Sequence, residues 1–194
     1  MDKVVFDIDD ILWPLNKRIA NLYNIDHNAL VTYSIFDNPI LNDIQKDCVL
    51  KAYSNPELFK DINWFPGADM IMDLEKCGVK VFLNSNCFHK EIAKLKYEQI
   101  HKLIDIPDSQ FILNVYGEDV IEGHKDKNIG DGVFAFVDDS PHNLIKANAQ
   151  YLYTLNRPWN INCPNLEAIT ILRFDNLMDI ITDIKCRLSY GSMA

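Results

Sequence analysis

Short apolar runs that stop at acidic or amide residues, separated by stretches of helical periodicity, constrain this chain more than any other feature. Residues 3–6 end at Asp7, residues 79–83 end at Asn84-Ser85-Asn86, and residues 133–137 end at Asp138-Asp139. Runs of the same kind occupy 111–116, 151–155 and 168–174. Their length and near-continuous apolarity fit strands buried on both faces. Between them, 68–77 carries Met70, Ile71, Leu74 and Cys77 at helical spacing before Gly78, and 88–104 carries Ile92, Leu95, Ile100, Leu103 and Ile104. A short helix is expected over 141–149, with Pro141 in its first turn, and a last one over 175–188, capped by Asp175 or Asn176. Strands alternating with helices predict an α/β, Rossmann-like architecture, a parallel sheet flanked by helices.

One segment breaks the rhythm. After strand one the chain shows no convincing strand until about residue 65, but two or three helical patterns, including 40–53. Roughly fifty residues are too many for a plain connection. A small helical cap over residues 14–65, inserted into a core formed by 1–13 and 66–190, is the expected organisation.

Composition narrows the function. The chain has 194 residues, 48% of them hydrophobic and 24% charged, which excludes disordered and low-complexity classes. With 19 basic against 28 acidic residues, the net charge is −9, so neither a long nucleic acid nor an anionic membrane is an expected partner. The five cysteines form no CxxC pair, which disfavours a disulfide framework or a thiolate zinc site. Asp7 interrupts any signal-type apolar core and no apolar run is long enough to span a bilayer, so a cytoplasmic protein is expected.

Ligands of open parallel sheets bind beyond the carboxyl ends of the strands. Carboxylates gathered there repel one another unless a cation offsets them, and Mg²⁺ suits such oxygen donors while leaving room for waters and a phosphate. The candidate metal residues are Asp7, Asp9, Asp138 and Asp139. The same set can support covalent catalysis, one Asp attacking phosphorus and another shuttling protons. Ser85 and Asn86 are candidates for phosphate binding, and Lys127 for balancing developing charge.

In this order, Asp7-Ile8-Asp9, Ser85, Lys127 and Asp138-Asp139 resemble the four motifs of haloacid dehalogenase-type phosphatases. Within them, the chain most resembles the 5'(3')-deoxyribonucleotidase group. Its length, the Asp126-Lys127 pair before Asp138-Asp139, Arg157-Pro158-Trp159-Asn160 and the Phe65-Pro66-Gly67-Ala68 stretch carry that likeness. The resemblance implies Asp7 as nucleophile, Asp9 as general acid and then base with its carbonyl on Mg²⁺, Ser85 and Lys127 on the phosphoryl group, and Asp139 rather than Asp138 as direct metal ligand. Relatives of this type commonly pair, so a homodimer is compatible. The pattern departs where Gly then Thr or Val is usual, for here Asp10 and Ile11 follow the first motif. Lys125 stands two residues from Lys127 and is the alternative catalytic lysine.

The expected substrate is a small phosphomonoester, first a nucleoside monophosphate. Alternatives are another phosphometabolite, a nucleic-acid end, or a catalytically silent phosphate-binding module. Trp13, Tyr33 and Phe36 are candidates for stacking on a base, although cap aromatics also serve as the cap's own core. Trp159 reads most simply as packing that closes the last loop. The five histidines lack ligand-like spacing; His124 and His142, which flank the motifs, read as exposed or locally bonded.

Overall fold

Among the described residues, six strands form one parallel sheet: β1 (Lys3–Phe6), β2 (Lys80–Cys87), β3 (Phe111–Val115), β4 (Val133–Val137), β5 (Ala149–Leu155) and β6 (Ile171–Phe174). The structure, a computed structural model, describes residues 2–33, 37–115, 127, 129–161 and 170–191. The strand order is 3-2-1-4-5-6, so the direction of winding reverses between β1 and β4. That reversal opens a crevice at the carboxyl ends of these two strands. All five residues of β4 are buried, as expected of a strand covered on both faces. Alternation sets the faces: Val4 and Phe6 enter one core, Val5 the other.

Among the described residues, five α-helices complete the framework: α1 (Leu15–Leu22), α2 (Asp43–Ala52), α3 (Lys90–Leu103), α4 (Pro141–Lys146) and α5 (Leu177–Gly191). Helix α5 buries Leu177, Ile180, Ile181 and Ile184, an i, i+3, i+4, i+7 stripe, in the core that holds Val4 and Phe6. At roughly 1.5–3 kcal/mol for each fully buried aliphatic side chain, this stripe outweighs any intrinsic helix preference. Helix α4 puts Leu144 with Val5 and Phe136 on the opposite face. It is shorter than its pattern suggested, because Ala147 is already extended and Ala149 begins β5.

Residues Ala68–Cys77 form a 3-10 rather than an α-helix. The buried residues Ala68, Ile71 and Leu74 explain the tighter winding, since a spacing of three lines up on one face at three residues per turn. Cys77, expected inside, is exposed. The described cysteines, Cys48, Cys77, Cys87 and Cys186, are free thiols. No helix among the described residues is long and apolar enough to cross a membrane.

Between β1 and the 3-10 segment Ala68–Cys77 lie, among the described residues, α1, α2 and the short 3-10 turns His27–Ala29 and Pro56–Phe59. A reciprocal cap starts α2: Asn42 accepts from the Gln45 amide and Gln45 accepts from the Asn42 amide. The insert closes on itself at its base, where the Phe65 amide donates to the Leu12 carbonyl at 2.8 Å.

Gly67 and Gly78 bracket the 3-10 segment with φ of +92° and +87°. A Cβ on Gly67 would sit 2.5 Å from Met178 Sδ, whereas one on Gly78 would meet nothing within 4 Å. Gly78→Ala therefore carries only the backbone penalty, about 1 kcal/mol, while Gly67→Ala adds displacement of the α5 methionine, for about 2–3 kcal/mol in all. Chemical denaturation of the two variants should rank them in that order; equal losses would mean that Met178 yields without cost.

Candidate active site

The register of the sheet decides which side chains meet. Phe6 pairs with Leu83 on one side and with Val137 on the other, so Asp7 and Asp138 leave their strands at one level in the crevice. The Asp7 amide still donates to the Val137 carbonyl at 2.8 Å, and the Asp138 amide to the Tyr153 carbonyl at 3.1 Å. Asp7, Asp138 and Asp139 are 4%, 0% and 3% exposed. One carboxylate oxygen from each lies within 4.8 Å of the others.

Lys127 is the cation of this cluster. Its ammonium lies 2.6 Å from Asp7 Oδ1 and 2.8 Å from Asp138 Oδ2, with the side chain almost wholly buried. Burial opposes its charge, yet Asp138 and Asp7 outweigh that and hold Lys127 above the usual lysine range. Asp138 is further held by the Ser140 amide at 2.8 Å and by Asn143 Nδ2 at 3.1 Å from each oxygen. Ser140 caps α4, so the helix start and the carboxylate share one set of donors. Burial pushes Asp7 up to about 7, against the pull of Lys127. Burial also pushes Asp139 well up, and Asp10, Asp7 and Asp138 add to it. Three buried carboxylates around one ammonium hold more potential negative charge than the protein neutralises. A hard divalent cation such as Mg²⁺ fits this donor set.

Asp9 turns away from that cluster. The chain bends sharply after it, with the Asp10 amide donating to the Trp13 carbonyl at 2.8 Å and the Leu12 amide to the Ile8 carbonyl at 2.9 Å. Asp9 Oδ1 accepts the Trp13 indole N–H at 2.9 Å, and Asp9 Oδ2 accepts the Ser85 hydroxyl at 3.3 Å. Lys96 of α3 also donates to Asp9 Oδ2, and it lies 3.0 Å from Ser85 Oγ and 3.3 Å from the Asn86 carbonyl. Its ammonium stands 5.4 Å from the centre of the Phe59 ring. Burial works against the charge of Lys96, but Asp9 raises it above the ordinary range.

Asp10 occupies the left-handed region at φ +57°. Its carboxylate accepts the Asn16 amide at 3.1 and 3.3 Å, satisfying a free N–H in the first turn of α1. Arg157 fixes the same turn: Nε and Nη2 donate to the Asp10 carbonyl at 3.0 and 2.7 Å, with the guanidinium over the Phe65 ring. Burial pushes Asp10 up to about 8, with Arg157 opposing.

Asp7, Asp138, Asp139 and Lys127 thus form one group, and Asp9 and Ser85 a second beside it. Asn86 presents its side-chain oxygen to Asn114 Nδ2 at 3.1 Å. Tyr33 is half-buried and hydrogen-bonds Ser140; burial, then Asp139 and Asp138, push its hydroxyl well up. Trp13 is 1% exposed, its ring 5.5 Å from that of Phe59, which places it in the core rather than on an open stacking surface. Phe36, Lys125 and His124 lie outside the described residues. Lys96 was missed by the sequence reading, although Ile92, Lys96 and Ile100 share one buried stripe at i, i+4 spacing, and a lysine on such a stripe needs a buried partner. Trp159 does more than pack, since its indole N–H donates to Asp139 Oδ2 at 2.8 Å.

No protein-family model matches the chain, and no curated protein matches it. Solved structures share its fold at low identity. A hydrolase from Pseudomonas syringae has a TM-score of 0.54 and 16% identity, over 95% of this chain and 98% of that one. A haloacid dehalogenase-like family hydrolase from Streptococcus pneumoniae has a TM-score of 0.56 and 9% identity, over 94% and 98%. A β-phosphoglucomutase from Clostridium difficile has a TM-score of 0.51 and 14% identity, over 98% and 100%.

The raised carboxyls have a thermodynamic consequence. An Asp that titrates near 3.9 when unfolded and near 8 when folded keeps a proton in the native state that the unfolded state has lost. Stability from this source is present below about pH 4 and is lost as pH rises toward 8. Thermal unfolding in chelator from pH 5 to 8 should show a falling Tm for the wild type and a flatter profile for Asp10→Asn. Parallel profiles would show that Asp10 does not titrate in this window.

Proposed function

We propose that the protein is a Mg²⁺-dependent phosphomonoester hydrolase that works through an aspartyl-phosphate on Asp7. The observation that carries this reading is Lys127 bridging Asp7 and Asp138 beside Asp139, at the strand crossover where α/β sheets bind ligands. The fold likeness to proteins named as hydrolases and as a β-phosphoglucomutase supports it.

Asp7, Asp138 or Asp139, and the Asp9 carbonyl would hold Mg²⁺, which when bound supplies charge neutralisation between the anionic nucleophile and an anionic phosphoryl group. Lys127 fixes one Asp7 oxygen, leaving the carboxylate aimed by a charged hydrogen bond rather than free to rotate. In the first step an Asp7 oxygen attacks phosphorus, the bond from phosphorus to the ester oxygen breaks, and Asp9 gives that oxygen its proton. In the second, Asp9 takes a proton from water as the water oxygen attacks the acyl phosphate, releasing inorganic phosphate and restoring Asp7. Ser85 contributes a hydroxyl to phosphate oxygens from a buried strand position.

The substrate is read as a nucleoside monophosphate, dephosphorylated as by a 5'(3')-deoxyribonucleotidase. Support comes from Arg157-Pro158-Trp159-Asn160 and from Tyr33, a half-buried aromatic whose hydroxyl reaches Ser140 beside the acidic cluster. Burial removes Trp13 from stacking, so that role falls to Tyr33 and, outside the described residues, to Phe36.

Phosphate release from a panel of nucleoside monophosphates and sugar phosphates, with Mg²⁺ and with chelator, tests both levels. Mg²⁺-dependent turnover favouring nucleotides is expected, and Asp7→Asn should lower it by at least about 10³-fold with the fold intact. Preference for sugar phosphates would redirect the substrate assignment. Turnover surviving in Asp7→Asn would sink the mechanism, and no release from any substrate would favour a silent phosphate-binding module.

A further inference from the structure

Asp139 is held differently from its neighbours. Asp7 and Asp138 share the Lys127 ammonium, a charged donor. The Asp139 carboxylate instead accepts the indole N–H of Trp159, a neutral donor, at 2.8 Å, with the ring 4% exposed. The next residue grips the Asp139 backbone, for Asn160 Nδ2 lies 3.1 Å from the Asp139 carbonyl, 3.2 Å from Thr154 Oγ1 and 3.0 Å from the Leu155 carbonyl. Asn160 is fully buried, and Arg173 of β6 anchors it by donating to its backbone carbonyl at 2.7 Å. On the insert side, the His27 ring meets Trp159 edge-on at 5.8 Å.

The kind of donor matters. An ammonium or guanidinium on Asp139 would fix the carboxylate but also cancel the charge that attracts a cation. An indole N–H commits one oxygen and sets the plane of the group, yet leaves its charge for a metal. We propose that Trp159 is a positioning residue for a divalent cation: it orients Asp139 toward the Asp7–Asp138 cluster without neutralising it. This rests on the cation reading of that cluster.

Trp159→Phe keeps an aromatic ring at this buried position and removes the N–H together with part of the indole, so its folding is checked alongside its metal binding. Partners of metal-binding carboxylates typically contribute about 10–100-fold in metal affinity. Binding of Mn²⁺ to the chelator-stripped 194-residue chain, followed by the electron paramagnetic resonance of free Mn²⁺, should therefore weaken by about that factor in Trp159→Phe, with an unchanged far-ultraviolet circular dichroism spectrum. Wild-type affinity in the variant would overturn the proposal and leave the cation site standing. Absence of Mn²⁺ and Mg²⁺ binding by the wild type would remove the cation site itself and the proposal with it. If the variant fails to fold, the wild-type indole ¹⁵N–¹H signals decide. The Trp159 signal, identified by its proximity to the His27 ring, should move on Mg²⁺ addition while that of Trp64 stays in place. A stationary Trp159 signal would overturn the proposal.

Discussion

Like charges buried at one crossover are the constraint on which the rest of the site depends. Asp7 and Asp138 leave adjacent parallel strands at the same level, so the sheet itself forces them together. Lys127 makes that juxtaposition tolerable, since two buried carboxylates without a charged partner would each carry a large desolvation penalty. Asp139 adds a third carboxylate whose donors among the described residues, the Trp159 indole on its side chain and the Asn160 amide on its backbone, are neutral. The cluster is therefore stable as a protonated or a cation-loaded assembly, and strained as a bare anion.

This electrostatic arrangement reaches outward through the loops that bear the carboxylates. The segment after β5 touches both: Arg157 grips the Asp10 carbonyl, while Trp159 and Asn160 grip Asp139. One loop thus sets the spacing between the chain end of β1 and the chain end of β4. Asp10 in the left-handed region is the point of strain in that arrangement, and its carboxylate offsets some of the cost by satisfying the Asn16 amide at the start of α1.

Much of this was legible in the sequence because a parallel sheet converts sequence position into spatial position. Apolar runs ending in Asp7 and Asp138-Asp139 identify strand ends that share an edge, whereas β2 continues past Leu83 through Asn84-Ser85-Asn86 to Cys87, because these polar residues still pair with β3. Lys127 was reachable through motif order alone, for nothing in its local composition marks it as buried. What the pattern hid was of two kinds. A three-residue apolar spacing over Ala68, Ile71 and Leu74 is hard to tell from an α-helical stripe over ten residues. Lys96 was hidden because periodicity counts apolar residues, and a lysine between Ile92 and Ile100 registers as an interruption instead of a buried charge. Trp159 hides similarly: its ring is as apolar as packing requires, and only the partner of its N–H reveals more.

Lys96 of α3 also ties the insert to the group formed by Asp9 and Ser85. Its ammonium meets Asp9 and Ser85 on the sheet side and faces Phe59 of the insert on the other. Trp13, the last residue before the insert, donates to the second Asp9 oxygen and packs on the same Phe59. Two of the three side chains described on Asp9, Trp13 and Lys96, therefore share one aromatic ring that the insert supplies. Were Phe59 withdrawn, Lys96 would gain water and Trp13 would lose a packing surface, and the Asp9 carboxylate would be freer to rotate. Asp9 is thus held by Trp13, Ser85 and Lys96, two of which pack on Phe59 of the insert, whereas the Asp7 cluster is held by the sheet and the loop after β5. Under the proposed mechanism, two groups acting on one phosphoryl centre would be positioned by different parts of the chain, and their alignment would follow from how residues 14–65 pack on the rest.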